Sequence, residues 1–327
     1  MNIDGTDKKL LNLIQTVFPL TSQPYADLGR GLNISENEVM KRIKRLKTQG
    51  IIRQIGPVID ARRLGYHSVL AAISVDENQI DTAERVIGQH PGVSHGYERN
   101  HYFNIWFTLA APPEANTETN IQQIASQIKN NGVLVLPAVK VYKIGAFFNM
   151  NDNGETTRES VATPKQSLTR LAKLPQLDKS IVNVLQQDLP LVPTPFRPTA
   201  LQLGISVDDF LTRCHSLLER GVIRRFSASI NHRKAGFNAN GMACWAAPPD
   251  VTDTAGQKLA SLPEVSHCYE RSTTPLWQYN LFAMIHKLTR KDCQKTADKI
   301  SLEFGLTDSI LLFSTREFKK TRIRYTA

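Results

Sequence analysis

Tyr97-Glu98-Arg99-Asn100-His101-Tyr102-Phe103-Asn104-Ile105-Trp106-Phe107 is the most polar-aromatic run of the sequence, and its opening recurs as Tyr269-Glu270-Arg271. Beyond that tripeptide the copies part. The second continues Ser272-Thr273-Thr274-Pro275-Leu276-Trp277-Gln278-Tyr279-Asn280-Leu281-Phe282 and is four residues longer before the apolar strand resumes. A common strand scaffold whose side chains differ between two halves is the pattern of a ligand-binding edge, since packing holds the scaffold constant while the ligand dictates the differences.

On either side of this run, landmarks repeat at a separation of 171: Asp7 with Asp178, Pro24-Tyr25 with Pro195-Phe196, Ile34-Ser35 with Ile205-Ser206, Gly50 with Gly221, and Gly65-Tyr66 with Gly236-Phe237. Residues 7–144 and 178–325 therefore read as two copies of one unit. The period is too long for a solenoid and implies a duplicated pair of domains.

In the first copy Leu10, Leu11, Leu13, Ile14 and Val17 have the spacing of an amphipathic helix, and 25–32 give a short second one. Ser35 is a good N-cap with Glu38 as its capping-box partner, and the helix it opens carries Val39, Ile43 and Leu46 on one face and stops at Gly50. Extended segments at 51–55 and 58–59 then predict a winged helix-turn-helix. The second copy repeats it with a third helix over 206–220 and a wing from Gly221, although Pro198 is expected to interrupt the preceding helix. Next come a strand at 68–75, a helix at 79–89, strands at 93–98 and 102–109, a helix at 116–129 and a strand at 133–142. That β-α-β-β-α-β order predicts a ferredoxin-like α+β unit. The expected division is a winged helix-turn-helix at 1–60, a ferredoxin-like domain at 61–148, an exposed polar linker at 149–176, a second winged helix-turn-helix at 177–232 and a second ferredoxin-like domain at 233–327. The two halves are expected to pair as an intramolecular pseudo-dimer.

At 327 residues the chain can bury more than one core. No apolar run approaches the roughly 18 residues of a membrane span, and Met1-Asn2-Ile3-Asp4-Gly5 lacks the basic and apolar regions of a signal peptide, so a cytoplasmic protein with no membrane partner is expected. Cys214, Cys244, Cys268 and Cys293 show neither a Cys-x-x-Cys pair nor zinc-finger spacing and are expected to be free buried thiols. The net charge of +10 is uneven, with 16 basic against 13 acidic residues in 1–150 and 24 against 17 in 151–327. Arg316, Lys319, Lys320, Arg322 and Arg324 face only Glu317 at the end of the chain. Nucleic acid and a small ligand with many carboxylates both suit such a cluster.

A winged helix-turn-helix followed by β-α-β-β-α-β resembles the Lrp/AsnC family, whose regulators dimerise through the second unit. The motifs narrow the likeness. Residues 97–107, the stretch Trp277-Gln278-Tyr279-Asn280-Leu281-Phe282-Ala283-Met284-Ile285-His286, and Ser314-Thr315-Arg316-Glu317-Phe318-Lys319-Lys320-Thr321-Arg322 resemble the siroheme decarboxylases, in which two related chains pair or occur fused. The resemblance covers almost the whole chain. It implies decarboxylation of two acetate side chains of siroheme to give didecarboxysiroheme, in heme d1 biosynthesis or an alternative route to heme, with siroheme as substrate and no cofactor required.

Losing CO2 from an acetate on a pyrrole ring requires the ring to accept an electron pair, which protonation of a ring carbon permits, so a general acid is needed. Histidine titrates in the right range. His101, His286, His95 and His267 are the candidate catalytic residues. His101, in the polar part of the hairpin, is also the candidate ligand of the siroheme iron; its plainer reading is an exposed histidine satisfied by water. His286 has Ala110 at the equivalent place in the first copy, which favours a role in one active site. His95 and His267 occur in both copies and suit a strand cap equally well. Arg99, Arg271, Trp277, Tyr279, Arg316, Lys319 and Lys320 are the candidate substrate-binding residues, with cations for carboxylates and aromatic rings for the tetrapyrrole faces. The plainer readings are ion pairs of Arg99 and Arg271 with Glu98, Glu270 or the other half, a solvated basic tail, and core packing for Trp106.

A transcription regulator is the main alternative. The N-terminal ends of the two recognition helices, where base edges are read, are Ser35-Glu36-Asn37-Glu38 and Ser206-Val207-Asp208-Asp209, and their carboxylates would repel phosphates. Lys41, Arg42, Lys44, Arg45 and Lys47 could grip a DNA backbone in the first copy, but the second offers only Arg213 and Arg220. A palindromic operator needs two similar readers, so DNA is not expected as a partner. A tetrapyrrole sensor without turnover uses the same residue types as an enzyme, and a homodimer stays open.

Overall fold

A computed structural model describes residues 3–145, 147–148, 150, 171–231, 234 and 239–327; most of the expected linker lies outside the described residues. The first copy runs α1 (Gly5–Thr16), α2 (Pro24–Leu32), α3 (Glu36–Thr48), β1 (Ile52–Ile59), β2 (His67–Ser74), α4 (Ile80–Gln89), β3 (Val93–Arg99), β4 (Ile105–Ala111), α5 (Thr117–Ser126) and β5 (Gly132–Ile144). The second runs α6 (Gln176–Leu185), α7 (Arg197–Gln202), α8 (Val207–Glu219), β6 (Ile223–Ile230), β7 (Ala239–Trp245), α9 (Pro249–Ser261), β8 (Val265–Arg271), β9 (Leu281–Lys287), α10 (Arg290–Phe304) and β10 (Ser309–Lys320).

The Ser35 hydroxyl accepts from the Glu38 N–H as expected of an N-cap. The Glu38 carboxylate instead reaches Arg42 at 2.7 Å, so the capping box stays half closed. Pro198 sits in the first turn of α7, where its missing N–H has no helical partner to lose; it opens that helix and does not interrupt it. The expected wing of two short strands is a single strand through Gly56 and Pro57. It finds its partner in the other copy, β1 pairing antiparallel with β6 so that Gly56 lies opposite Ser227. The helices of both copies and this ribbon close over one shared core that includes Leu10, Ile14, Ile43, Ile181, Phe210, Leu217 and Phe226. Each such fully buried side chain contributes roughly 1.5–3 kcal/mol.

The two ferredoxin-like units fuse completely. Gly132–Pro137 of β5 pair with β2, and the remainder, Ala138–Ile144, crosses to pair with β8 of the second copy. β10 does the reverse, with Ser309–Phe313 on β7 and Ser314–Lys320 on β3 of the first copy. The result is a closed eight-stranded barrel in the order β10-β3-β4-β2-β5-β8-β9-β7, with α4, α5, α9 and α10 outside it. This is the pseudo-dimer expected from the repeat. Two cores lie between the strands and the helices, around Ile73, Phe107 and Ile121 in one half and Trp245, Leu259 and Ile285 in the other. A third fills part of the lumen with Phe103, Trp106, Leu134, Leu136, Met242, Trp277, Phe282 and Leu312. Residues 102–104, expected to begin a strand, form the turn of the β3–β4 hairpin. Among the described residues no helix is long and apolar enough to cross a membrane.

Candidate active site

Strand alternation decides which side chains see the lumen. On β3, Val93 packs into the helix-side core, a bulge between Val93 and His95 shifts the phase, and Gly96 lies against the Phe318 ring, so His95, Tyr97 and Arg99 take the inner face. On β8, the same bulge between Val265 and His267 lets Val265 and Cys268 both face α9, leaving His267, Tyr269 and Arg271 inside. Each set forms a ladder. His95 stacks on Tyr97 with centroids 6.3 Å apart and the Arg99 guanidinium lies 5.5 Å from the Tyr97 ring. His267 stacks on Tyr269, also at 6.3 Å, and the Arg271 guanidinium lies 4.6 Å from that ring. Arg99 and Arg271 are 3% and 9% exposed, and each donates at 2.8 Å to a main-chain oxygen of the other copy's exchanged strand, Leu312 O and Leu136 O. Neither pairs with Glu98 or Glu270. Burial brings both down to about 10, so they stay cationic at neutral pH.

The histidine end of each ladder lies toward the helix-turn-helix ribbon. Burial, followed by the charges of Lys320 and Arg53, takes His95 down to about 4. Burial takes His267 to about 3, with His95, Lys320, Arg225 and Lys143 adding to the shift. Both rings are therefore neutral at pH 7, and the two histidines lie within electrostatic reach of each other. The ribbon brings Arg53, Arg224 and Arg225 to this mouth. Arg53 pairs with Glu317 at 3.2 Å, and Arg224 and Arg62 share Asp60 at 2.9 and 3.0 Å. Arg225 and Arg322 bond only neutral oxygens, Ser227 Oγ and Pro57 O at 3.2 Å each, with no carboxylate in ion-pair range among the described residues. Partial desolvation lowers both, although Arg225 is half-buried and Arg322 exposed overall. Cations without an ion-pair partner around neutral imidazoles suit a multiply charged anion.

His286 lies at the same end. The Ser266 hydroxyl is 2.8 Å from His267 Nδ1 and 2.7 Å from His286 Nε2, and the Phe148 ring meets His286 edge-on at 5.3 Å. In the first copy Ser94 Oγ lies 2.9 Å from His95 Nδ1, with Ala110 where the second copy has His286.

The other candidates separate. His101 is at the hairpin end of β3, beyond Arg99, itself roughly 13 Å along the strand from His95. Its Nδ1 accepts from the Phe103 N–H at 3.1 Å, and burial lowers its pKa. Trp277, carried by the four-residue extension of the second copy, folds over this hairpin. It meets His101 at 5.5 Å, Trp106 at 5.1 Å and Tyr279 at 5.0 Å. The aromatic candidates thus plug the far end of the lumen, and Trp106 is core, as expected of it. Arg316 pairs with Asp81 and Glu84 of α4, and Lys319 donates to His90 O at 2.7 Å, so neither is brought to the ladders. Lys320 is, beside His95 and 3.6 Å from Glu317.

Tyr97, Tyr269, Ser266, Arg53 and Arg225 escape a reading for histidines and tail cations, while Arg322, one of the tail cations, is not among the substrate-binding candidates. Two signals mark the tyrosines and Arg225: the period-two His-x-Tyr-x-Arg on each ladder strand, and Arg224-Arg225 in the strand that follows Gly221. The basic stripe of α3 is mostly engaged within its own fold. Arg42 and Arg45 both hold the buried Asp7, and Lys47 pairs with Asp188 at 2.9 Å.

These features define a fused, duplicated Lrp/AsnC-type protein whose paired ligand-binding units enclose a lumen lined by two histidine–tyrosine–arginine ladders. Residues 63–143 and 234–319 match the AsnC-like ligand binding domain, and 7–53 and 178–224 match the siroheme decarboxylase NirDL-like HTH domain. The chain is 41% identical to the siroheme decarboxylase of Hydrogenobacter thermophilus, over 97% of this chain and 94% of that one. It is 45% identical to the siroheme decarboxylase beta subunit of Methanosarcina barkeri over 45% of this chain and 97% of the subunit. A crystal structure of the siroheme decarboxylase NirDL in co-complex with an iron-uroporphyrin III analogue matches with a TM-score of 0.73 at 35% identity, over 99% of this chain and 95% of that one. The chain belongs to the siroheme decarboxylase family.

Proposed function

We propose that this carboxy-lyase acts on siroheme in the cytoplasm, removing CO2 from two acetate side chains to give didecarboxysiroheme for heme d1 or for an alternative route to heme. Two ladders support this reading, each running from a buried arginine, Arg99 or Arg271, to a neutral histidine beneath Arg225 and Arg322, which have no carboxylate in ion-pair range among the described residues. Each acetate loses CO2 and the resulting carbon gains one proton, so the reaction is redox-neutral and calls for no added cofactor. Arg99, Arg271, Arg225, Arg322 and Lys320 take the substrate's carboxylates. That charge neutralisation raises the pKa of His95 and His267 toward the range in which an imidazole can donate a proton. His101, next to Trp277, is the candidate for the iron.

Anaerobic incubation with siroheme, followed by product mass, tests this. Successive loss of two CO2 is expected; tight binding with no change of mass would make the protein a sensor. DNA binding is disfavoured by the engagement of Arg42, Arg45 and Lys47 within the fold, and a gel shift with unspecific duplex gives the check.

A further inference from the structure

The two ladders differ at one point that ligand binding does not explain. In the first copy the contact behind the histidine is Ser94 to His95, and the position equivalent to His286 is Ala110, which has no proton to give. In the second it runs on from His267 through Ser266 to His286. Ser266 is 4% exposed, and its hydroxyl lies within hydrogen-bonding distance of both rings, 2.8 Å from Nδ1 of one and 2.7 Å from Nε2 of the other. A hydroxyl can accept from one nitrogen while donating to the other, which is what a proton needs to pass between two imidazoles.

We propose that Ser266 is a positioning residue that joins His267 and His286 into one proton-exchanging unit, so that the second half of the barrel reprotonates the substrate repeatedly while the first half holds it. This rests on the decarboxylase reading for its use, though not for its existence. Each decarboxylation consumes one proton: the C–CO2 bond breaks, its electron pair passes into the pyrrole system, and the carbon takes a proton from His267. The Ser266 O–H then donates to His267 Nδ1, and His286 Nε2–H gives its proton to Ser266 Oγ. His286, half-buried, then regains one proton from the bulk for each CO2 released, so atoms and charge balance. Two successive decarboxylations in one binding event need such a supply, since a lone buried histidine is spent after the first.

The groups facing the unit come from several elements. His95 (β3), Lys320 (β10), Arg225 (β6) and Lys143 (β5) act on His267, all disfavouring its charge. His286 meets the Phe148 ring, and the Glu264–Lys287 ion pair at 3.1 Å adjoins it. The cations thus gather on the His267 side, and substrate carboxylates arriving there favour a proton on His267.

Ser266→Ala and Ser266→Thr test this with two readouts. In the substrate-free protein, 15N NMR titration of the histidine rings should show the midpoints of both His267 and His286 displaced in Ser266→Ala and restored in Ser266→Thr. Displacement of neither, or of one ring alone, overturns the coupling whatever the enzyme does. With siroheme, Ser266→Ala should lower kcat by about 10–100-fold with KM unchanged, and the second CO2 should suffer more than the first. A wild-type kcat and pH profile in a folded Ser266→Ala variant overturns the relay. Wild-type protein that releases no CO2 while its ring midpoints remain coupled overturns the decarboxylase reading and the relay's use in it, and upholds the coupling.

Discussion

Replacing Arg271 by methionine should leave the fold about as stable and remove much of the affinity for siroheme. Its guanidinium is held at about 10 against an ordinary 12.5, a burial penalty on the order of 3 kcal/mol. Against this stand the charge-assisted bond to Leu136 O, worth roughly 1.5–3 kcal/mol, and the contact with Tyr269, worth about 0.5–2 kcal/mol. Its Nε finds no hydrogen-bond partner among the described residues. The terms nearly cancel, so an apolar side chain of similar length should change stability by no more than about 1–2 kcal/mol. Truncation to alanine is different: it opens a cavity and strands the Leu136 carbonyl, and should cost about 2–4 kcal/mol. A residue that contributes so little to folding must earn its place through ligand, and losing one charge-assisted bond to a carboxylate weakens binding by about 10–100-fold. Urea denaturation measures the first quantity and a Soret titration with siroheme the second. A methionine variant destabilised by more than about 3 kcal/mol that binds siroheme normally would refute the reasoning and make Arg271 a structural tie between the halves.

The low folded-state pKa values of His95 and His267, about 4 and about 3, mean that below pH 6.5 the unfolded chain takes up protons the folded chain refuses. Stability present above pH 6.5 should be lost as pH falls toward 4, by on the order of 2 kcal/mol per ring, and Tm measured against pH should show a fall that His267→Gln flattens. Arg225→Gln should raise Tm slightly, since it removes a half-buried cation beside Arg224, while weakening siroheme binding about tenfold and reducing its salt dependence. A Cβ at Gly256 would lie 2.5 Å from the buried Tyr142 ring, so Gly256→Ala should lower stability by about 1–3 kcal/mol in a denaturant melt. His101→Ala should shift the Soret band of bound siroheme; an unmoved band would leave the ring as a buttress for Trp277.

The helix-turn-helix and ferredoxin-like orders were legible because amphipathic spacing, the Ser35 and Ser206 caps and the Gly50 and Gly221 stops are local signals, and local geometry obeys them. The fusion of the sheets was legible only as pairing. That β5 and β10 each divide between two sheets depends on partners far away in the chain, and strand periodicity is blind to partner identity. The wing failed for the same reason, since β1 reads as an edge segment until β6 is known to cover it. Histidine and arginine candidates on one strand face, His95 with Arg99 and His267 with Arg271, stayed together because period two carries them there. His101, two positions past Arg99, was grouped with them by sequence proximity, but it follows the turn to the other end of the lumen. Arg316 and Lys319 looked available because their partners Asp81, Glu84 and His90 O come from another helix and its following loop in the other half.

The exchange of β5 and β10 also governs when the chamber can exist. Arg99 is matched in register with Ser314, and Arg271 with Ala138, so the first ladder's strand waits for the last one to be made. While a ribosome is still producing the second half, the first presents β3 and the far end of β5 as bare edges, the form in which β-sheets join the wrong neighbour. Closure over so long a loop is slow. A chaperone that shields these edges during synthesis therefore matters more to the yield of this protein than to that of a chain whose sheets complete themselves in order, and the same two strands are where separately made halves would have to find each other.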